Sequence, residues 1–311
     1  MKFLTYSYNG VKSLGCIIDK SNIINVSKSS NGKLPNNLAD YLIDFELNNL
    51  SLNQIIKSNS IGFIDLSDVE IETLINPKSF RDFYAFRQHV EVGRKSRGLN
   101  MIPEYDQFPV FYFSNHNSIS GPGQIELFKT QINKLDFELE IGVVISKYGR
   151  NIKSKDVYKY IAGFTILNDW SSRYIQMKEM KLNLGPAKGK DFSTTIGPYL
   201  VTLEELEDRM VGDIEDLRYD LNMEALLNNN LISNDNFKNI TWSFSDMIAR
   251  ASYGVDLVPG DLIGSGTCAT GCLLEINQTN NTDIWLQDGD VVKLKIDRLG
   301  ELENKVVCID L

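Results

Sequence analysis

Leu135-Asp136-Phe137-Glu138-Leu139-Glu140-Ile141-Gly142-Val143-Val144-Ile145 is the stretch whose reading decides the fold. Polar and apolar residues alternate with a period of two, which makes it a strand. Asp136, Glu138 and Glu140 share one face; Phe137, Leu139 and Ile141 share the other. From Ile141 onward the strand is almost wholly apolar, as a strand covered on both faces would be. Carboxylates aligned on a strand that enters the interior repel one another and cost free energy unless a positive charge sits among them. A divalent cation would supply that charge, and oxygen ligands suit Mg²⁺, Mn²⁺ or Ca²⁺ better than zinc. The alternative is a solvated acidic face with only the apolar side packed.

Two further segments carry polar residues in telling places. Phe164-Thr165-Ile166-Leu167-Asn168-Asp169-Trp170-Ser171-Ser172-Arg173 is an apolar strand that ends on Asn168-Asp169 just before a helix start. Asp169 therefore either faces a site at the strand end or caps the helix that follows. Phe80-Arg81-Asp82-Phe83-Tyr84-Ala85-Phe86-Arg87-Gln88-His89 holds one of only two histidines, the other being His116. His89 is either a catalyst or a satisfied structural residue, and its neighbours are polar rather than apolar.

Working outward, short strands are expected at Phe3 to Tyr8, Gly15 to Asp19, Ile23 to Val26, Val110 to Phe113, Ile161 to Leu167, Tyr199 to Thr202, Leu221 to Asn228, Asp261 to Gly264, Cys272 to Ile276 and Val291 to Ile296. Helical spacing is found at Ala39 to Ile56, Ser154 to Ile161 with Ser154 as N-cap, Trp170 to Met180, and Ser243 to Ala251. Gly-rich turns, not regular helices, separate most strands, which argues against Rossmann and barrel architectures and for a β-rich α+β fold. Residues 1–70 read as a small β-rich N-terminal module and 71–311 as the main domain, with a boundary near Asn76-Pro77.

The 311 residues include 42% hydrophobic and 23% charged side chains, enough to bury a core, and the formal net charge is −9. Bulk charge of that sign disfavours nucleic acid and anionic membrane as partners. No apolar run reaches the roughly 18–20 residues of a membrane span, and the start, Met1 to Ser7, turns polar too early for a signal peptide. Four scattered cysteines, Cys16, Cys268, Cys272 and Cys308, point to a reducing cytoplasm rather than a disulfide scaffold. Cys268 and Cys272 could suggest a zinc pair, but two histidines in the whole chain leave too few further ligands.

The segments around Asp82, Glu138 and Asp169 resemble, together and in order, those of the fumarylacetoacetate hydrolase family. Asp-Phe-Tyr with Arg-Gln-His at 82–89, Asp-x-Glu-x-Glu at 136–140, Asn-Asp-Trp-Ser-Ser-Arg at 168–173, Gly-Lys-x-Phe at 189–192 and Gly-Asp-Leu-Ile-Gly-Ser-Gly-Thr at 260–267 with Leu274-Glu275-Ile276 carry the resemblance, from about Pro77 to Leu311. It implies a mixed β-sandwich or roll catalytic domain and a homodimer. It implies a divalent ion, Mg²⁺ with Mn²⁺ or Ca²⁺ as alternatives, held by Asp82, Glu138, Glu140 and Asp169, with Lys190 and Thr194 beside it. His89 would activate water and Glu275 would orient it. Tyr84, Tyr112, Arg173, Gln176, Lys190 and Thr267 would meet the substrate, as would Arg97, with Arg94 as the alternative. Met180 stands where the family's hydrolase carries a substrate-contacting tyrosine.

The implied chemistry is metal-assisted cleavage, decarboxylation or isomerisation of small anionic 2-oxo or 1,3-diketo acids through an enolate. A metal site alone suffices for decarboxylation or isomerisation; a His–Glu pair adds what C–C hydrolysis needs, a base for water. The expectation is a metal-dependent C–C hydrolase of a fumarylacetoacetate-like or acylpyruvate-like acid. The alternatives are a decarboxylase, isomerase or dehydratase of a 2-oxo acid, or a catalytically silent binding protein of the same fold.

Overall fold

The apolar runs around 139–145 and 161–169 pair antiparallel, Leu139 opposite Asn168 and Gly142 opposite Thr165, and every residue of both strands is buried. The computed structural model describes residues 1–58, 62–95 and 97–310. Leu135–Asp136 leaves the expected continuous strand and pairs instead with Ser171–Ser172. Side chains interrupt the ladder here: the Phe137 amide donates to Asp136 Oδ1 at 2.9 Å and the Glu138 amide to Asn168 Oδ1 at 2.9 Å.

The two central strands lie inside a 12-stranded sheet. From 161–169 the order runs through Thr194–Val201 to Lys2–Tyr8, Val11–Ile17, Asn22–Asn25 and Ile64–Asp65; from 139–145 it runs through Leu262–Gly264 to Phe80–Phe83 and Phe111–Ser114. The N-terminal strands thus extend this sheet through Phe3 opposite Leu200, and Phe3, Tyr41 and Phe45 share an apolar cluster with Val144, Leu167 and Leu262. A second sheet of five strands, Asn230–Asn236, Asn222–Leu227, Val291–Ile296, Gly300–Ile309 and Gly123–Phe128, packs on the other side of a larger cluster that includes Phe137, Phe164 and Trp170. Two large sheets with few helices make the β-rich α+β fold expected from the strand pattern. Among the described residues no helix is long and apolar enough to cross a membrane.

Two local expectations are corrected, and one helix is added. Cys272 to Ile276 does not form a strand but opens the helix Leu273–Asn280. A short, mostly apolar run such as Cys-Leu-Leu-Glu-Ile fits a buried strand and a buried helix turn equally; the tie is broken by Asp136, whose carboxylate accepts from the Leu273 and Leu274 amides at 2.7 and 3.0 Å and so sits on the helix N-terminus. Ser154–Tyr160 is a 3₁₀ helix preceded by Lys153, without a side-chain cap. Arg87–Lys95 is a helix that the apolar spacing does not mark, because its buried residues are only His89 and Val90. Ser243 does cap Phe244–Ala251, accepting from the Asp246 amide.

Candidate metal centre and its dyad

Three strands converge on one buried group of acids. Asp82 comes from Phe80–Phe83, Glu140 from the central strand and Asp169 from the end of 161–169, and one carboxylate oxygen of each lies within 4.8 Å of the other two. All are buried. The sheet makes room for them with two glycines. A Cβ at Gly264 would fall 2.3 Å from Asp82 Oδ1. Gly266, at φ +76°, turns its amide toward Asp82 Oδ1 at 3.2 Å and Glu140 Oε2 at 3.1 Å, and a Cβ there would strike the Phe83 carbonyl at 2.4 Å.

Burial, reinforced by the Asp169 charge, pushes the Asp82 carboxyl up to about 8. Burial and the Asp82 charge hold Glu140 well above the usual carboxylate range. Burial also raises Asp169, against the pull of Lys190. Tyr112 donates its hydroxyl to Asp169 Oδ2, and Thr194 Oγ1 lies 3.3 Å from Asp169 Oδ1. Asp169 does not cap a helix: Arg173–Glu179 begins after Ser172.

The other acids of the 136–140 strand are buried too, which removes the solvated-face alternative, but cations answer them. Arg173 Nε donates to Asp136 Oδ2 at 2.8 Å and Nη2 to Glu138 Oε1 at 2.7 Å. Lys190 Nζ bonds Glu138 Oε2 and lies 2.7 Å from Asp169 Oδ2. Burial by itself would raise the Glu138 carboxyl; Lys190 and Arg173 overcome it and bring it down to about 2. Glu138 therefore stands beside the three converging acids, joined to Asp169 through Lys190, rather than within their 4.8 Å group.

His89, from the Arg87–Lys95 helix, meets Glu275, from Leu273–Asn280, with Nδ1 3.0 Å from Oε2. Tyr84 packs edge-on against the imidazole, ring centroids 5.7 Å apart. The dyad lines the same cavity of about 860 Å³ as Asp82, Glu138 and Glu140. Tyr84, Tyr112, Arg173, Gln176, Lys190 and Thr267 line it, as does Met180. Gln176 accepts from Arg173 Nη1 at 3.0 Å. Arg97 lines the cavity, its Nε tied to the Gly93 carbonyl at 2.9 Å; Arg94 is not among the lining residues and donates to the Asn100 carbonyl. Of the two residues between them, Ser96 lies outside the described residues.

Sequence reasoning left Asp136 without a role of its own. It receives Arg173 and the first two amides of the Leu273–Asn280 helix, so it couples the acid strand to the element that carries Glu275. Its place in the acidic alternation was visible; its partners, 37 and 137 residues away, were not.

Residues 78–307 match the family model described as fumarylacetoacetate (FAA) hydrolase C-terminal. A fumarylacetoacetase of Arabidopsis thaliana is 31% identical over 302 residues, 78% of this chain and 72% of that protein. The oxaloacetate tautomerase Fahd2a, mitochondrial, of Rattus norvegicus is 32% identical over 201 residues, 64% of this chain and 59% of its own. Among solved structures, maleylpyruvate hydrolase of Sphingobium sp. SYK-6 in complex with manganese(II) and pyruvate shares the fold over the whole of both chains, with a TM-score of 0.73 at 21% identity.

Proposed function

The chain belongs to the fumarylacetoacetate hydrolase family, and from that premise we propose that it is a divalent-metal-dependent hydrolase cleaving a C–C bond of a small 1,3-diketo acid of the fumarylacetoacetate or acylpyruvate class. The observation that carries the reading is the His89–Glu275 pair at 3.0 Å on the wall of the same cavity as the buried acids.

The acids fit a hard dication. Asp82 and Glu140 are buried together, neither forms an ion pair among the described residues, and their donors are all oxygen. Asp82, Glu140 and Asp169 would hold the ion, with Glu138 as the fourth carboxylate and Lys190 and Thr194 at its side. When bound it supplies Lewis-acid polarisation of adjacent substrate oxygens and balances their charge. The same reading takes Mg²⁺ as the resident ion, with Mn²⁺ or Ca²⁺ as alternatives, and a homodimer, which light scattering would measure.

The protein's own groups then do the following. Glu275 Oε2 holds the Nδ1 proton of His89, which leaves Nε2 to take a proton from water. The hydroxide adds to the carbonyl distal to the substrate carboxylate. The C–C bond breaks, its electron pair stays on the methylene of the departing oxo acid, a 2-oxo acid from an acylpyruvate and a 3-oxo acid from fumarylacetoacetate, and that carbon receives the proton from Nε2. Water is consumed and two acids leave. Arg97 and Lys190, cations on the wall of an acidic protein, would pair with the substrate carboxylate. Tyr84 orients the imidazole, and Tyr112, Gln176 and Thr267 shape the floor.

The test is a screen of purified protein with Mg²⁺ against fumarylacetoacetate, acylpyruvates and oxaloacetate, following loss of the diketo chromophore and identifying products. Two acids from a diketo substrate, with the rate falling roughly 10²–10⁴-fold in His89→Gln, is the expected result. A His89→Gln enzyme at full rate removes His89 as the base. A second reading, enol–keto conversion or decarboxylation of a 2-oxo acid, draws on the similarity to the rat protein and on Met180 in the cavity wall. It is recognised by turnover of oxaloacetate that survives His89→Gln but not Glu140→Gln.

A further inference from the structure

Cys272 has no part in that chemistry, yet it stands behind the dyad. It is the N-cap residue of Leu273–Asn280, and Glu275 lies three positions later, so both side chains fall on one face of the first helical turn. His89 reaches the same face from the Arg87–Lys95 helix. One ligand atom from each of His89, Cys272 and Glu275 lies within 4.8 Å of the other two. The thiol is 0% exposed, Glu275 2% and His89 8%. Glu275 Oε2 is engaged by His89, but Oε1 is buried and has no hydrogen-bond partner among the described residues. A buried carboxylate oxygen left unmatched beside an imidazole and a thiol asks for a positive partner.

We propose that His89, Cys272 and Glu275 form a second metal site, for a borderline-soft dication of the Zn²⁺ class, separate from the carboxylate centre. Zinc takes sulfur at about 2.3 Å and nitrogen or oxygen at about 2.0–2.2 Å. Tetrahedral ligands therefore stand roughly 3.3–3.8 Å apart, and the present group would close by about an ångström at its widest. Thiolate and carboxylate balance the two charges, and neutral imidazole completes three protein ligands. His89 and Glu275 face the cavity, so the fourth position is open to water or to a substrate oxygen. The Cys272 thiol is fully buried, and metal binding would release its proton. A sulfur and a nitrogen ligand discriminate against Mg²⁺, which the all-oxygen group favours. Binding stands on this geometry alone; its consequence, capture of the dyad and zinc inhibition of turnover, rests on the function proposed above.

Co²⁺ titration of the chelator-stripped full-length protein tests the site without any substrate. One equivalent should raise a thiolate-to-cobalt charge-transfer band that excess Mg²⁺ does not remove. Cys272→Ser, which keeps a good N-cap, should abolish the band. It should also weaken Zn²⁺, measured against a chromophoric chelator, by more than the roughly 10–100-fold cost of losing an outer-sphere partner. His89→Gln should weaken Zn²⁺ while the thiol remains, and Glu140→Gln should leave the band intact. A wild-type protein without the band, or a band that persists in Cys272→Ser, overturns the proposal. A band with no turnover of any diketo acid overturns the proposed function and leaves the zinc site standing.

Discussion

Asp136 and Glu138 differ from Asp82 and Glu140 in one respect that organises the whole site. All four are buried carboxylates, and Glu138 and Glu140 are two residues apart on one strand. Arg173 spans the first pair and Lys190 adds a second cation to Glu138, whose carboxyl is held down to about 2 despite burial. Around the second pair the described residues supply the Gly266 amide and the Thr267 hydroxyl but no ion pair, the pull of Lys190 on Asp82 is too weak to offset burial, and both carboxyls are driven up. The protein neutralises half of its acids itself and leaves the other half for something it does not encode.

Arg173→Met strips Asp136 and Glu138 of their shared cation and should cost about 3–5 kcal/mol in urea unfolding, because an uncompensated buried charge remains. Supplying what the other side lacks should act in the opposite direction. Mg²⁺ or Mn²⁺ at a hundred times its dissociation constant should stabilise the chelator-stripped protein by about 2.7 kcal/mol, and Glu140→Gln should lose that gain.

Without metal, Glu140→Gln should itself raise stability by about 1–2 kcal/mol near neutral pH. The sign follows from the direction of the shift. A folded carboxyl held above its unfolded value favours folding only in acid, and that contribution is lost as pH rises toward the folded value. The advantage of the glutamine should therefore shrink toward pH 4 and grow toward neutrality, read from melts across that range. The smallest effect sharpens the boundary between the two halves. Tyr112→Phe removes one donor from Asp169, which already has Lys190, and should cost about 1 kcal/mol.

How much of this was legible depends on how far apart the partners are in the chain. The acids at 136–140 and Asp169 showed themselves because a charge inside an apolar strand violates local pattern. The capping helix at Ser243 was legible because its donor and acceptor are three residues apart. The Leu273–Asn280 helix was not, because the anion that fixes its start lies 137 residues upstream. The Arg87–Lys95 helix was hidden for a related reason: it is held by His89 against Glu275, not by an apolar stripe.

Alternation, charge placement and ordered motifs in the chain were enough to determine a β-rich α+β fold and to single out the acids and the histidine as chemistry rather than surface. Only the tertiary structure decided which acids Arg173 and Lys190 claim, which arginine faces the cavity, and that the Cys272 thiol stands behind the dyad. The reason is physical. Backbone pattern is set by neighbours within a turn or a pleat, whereas electrostatic partnership in a dry interior is set by distances of 3–5 Å that strand pairing imposes on residues remote in sequence.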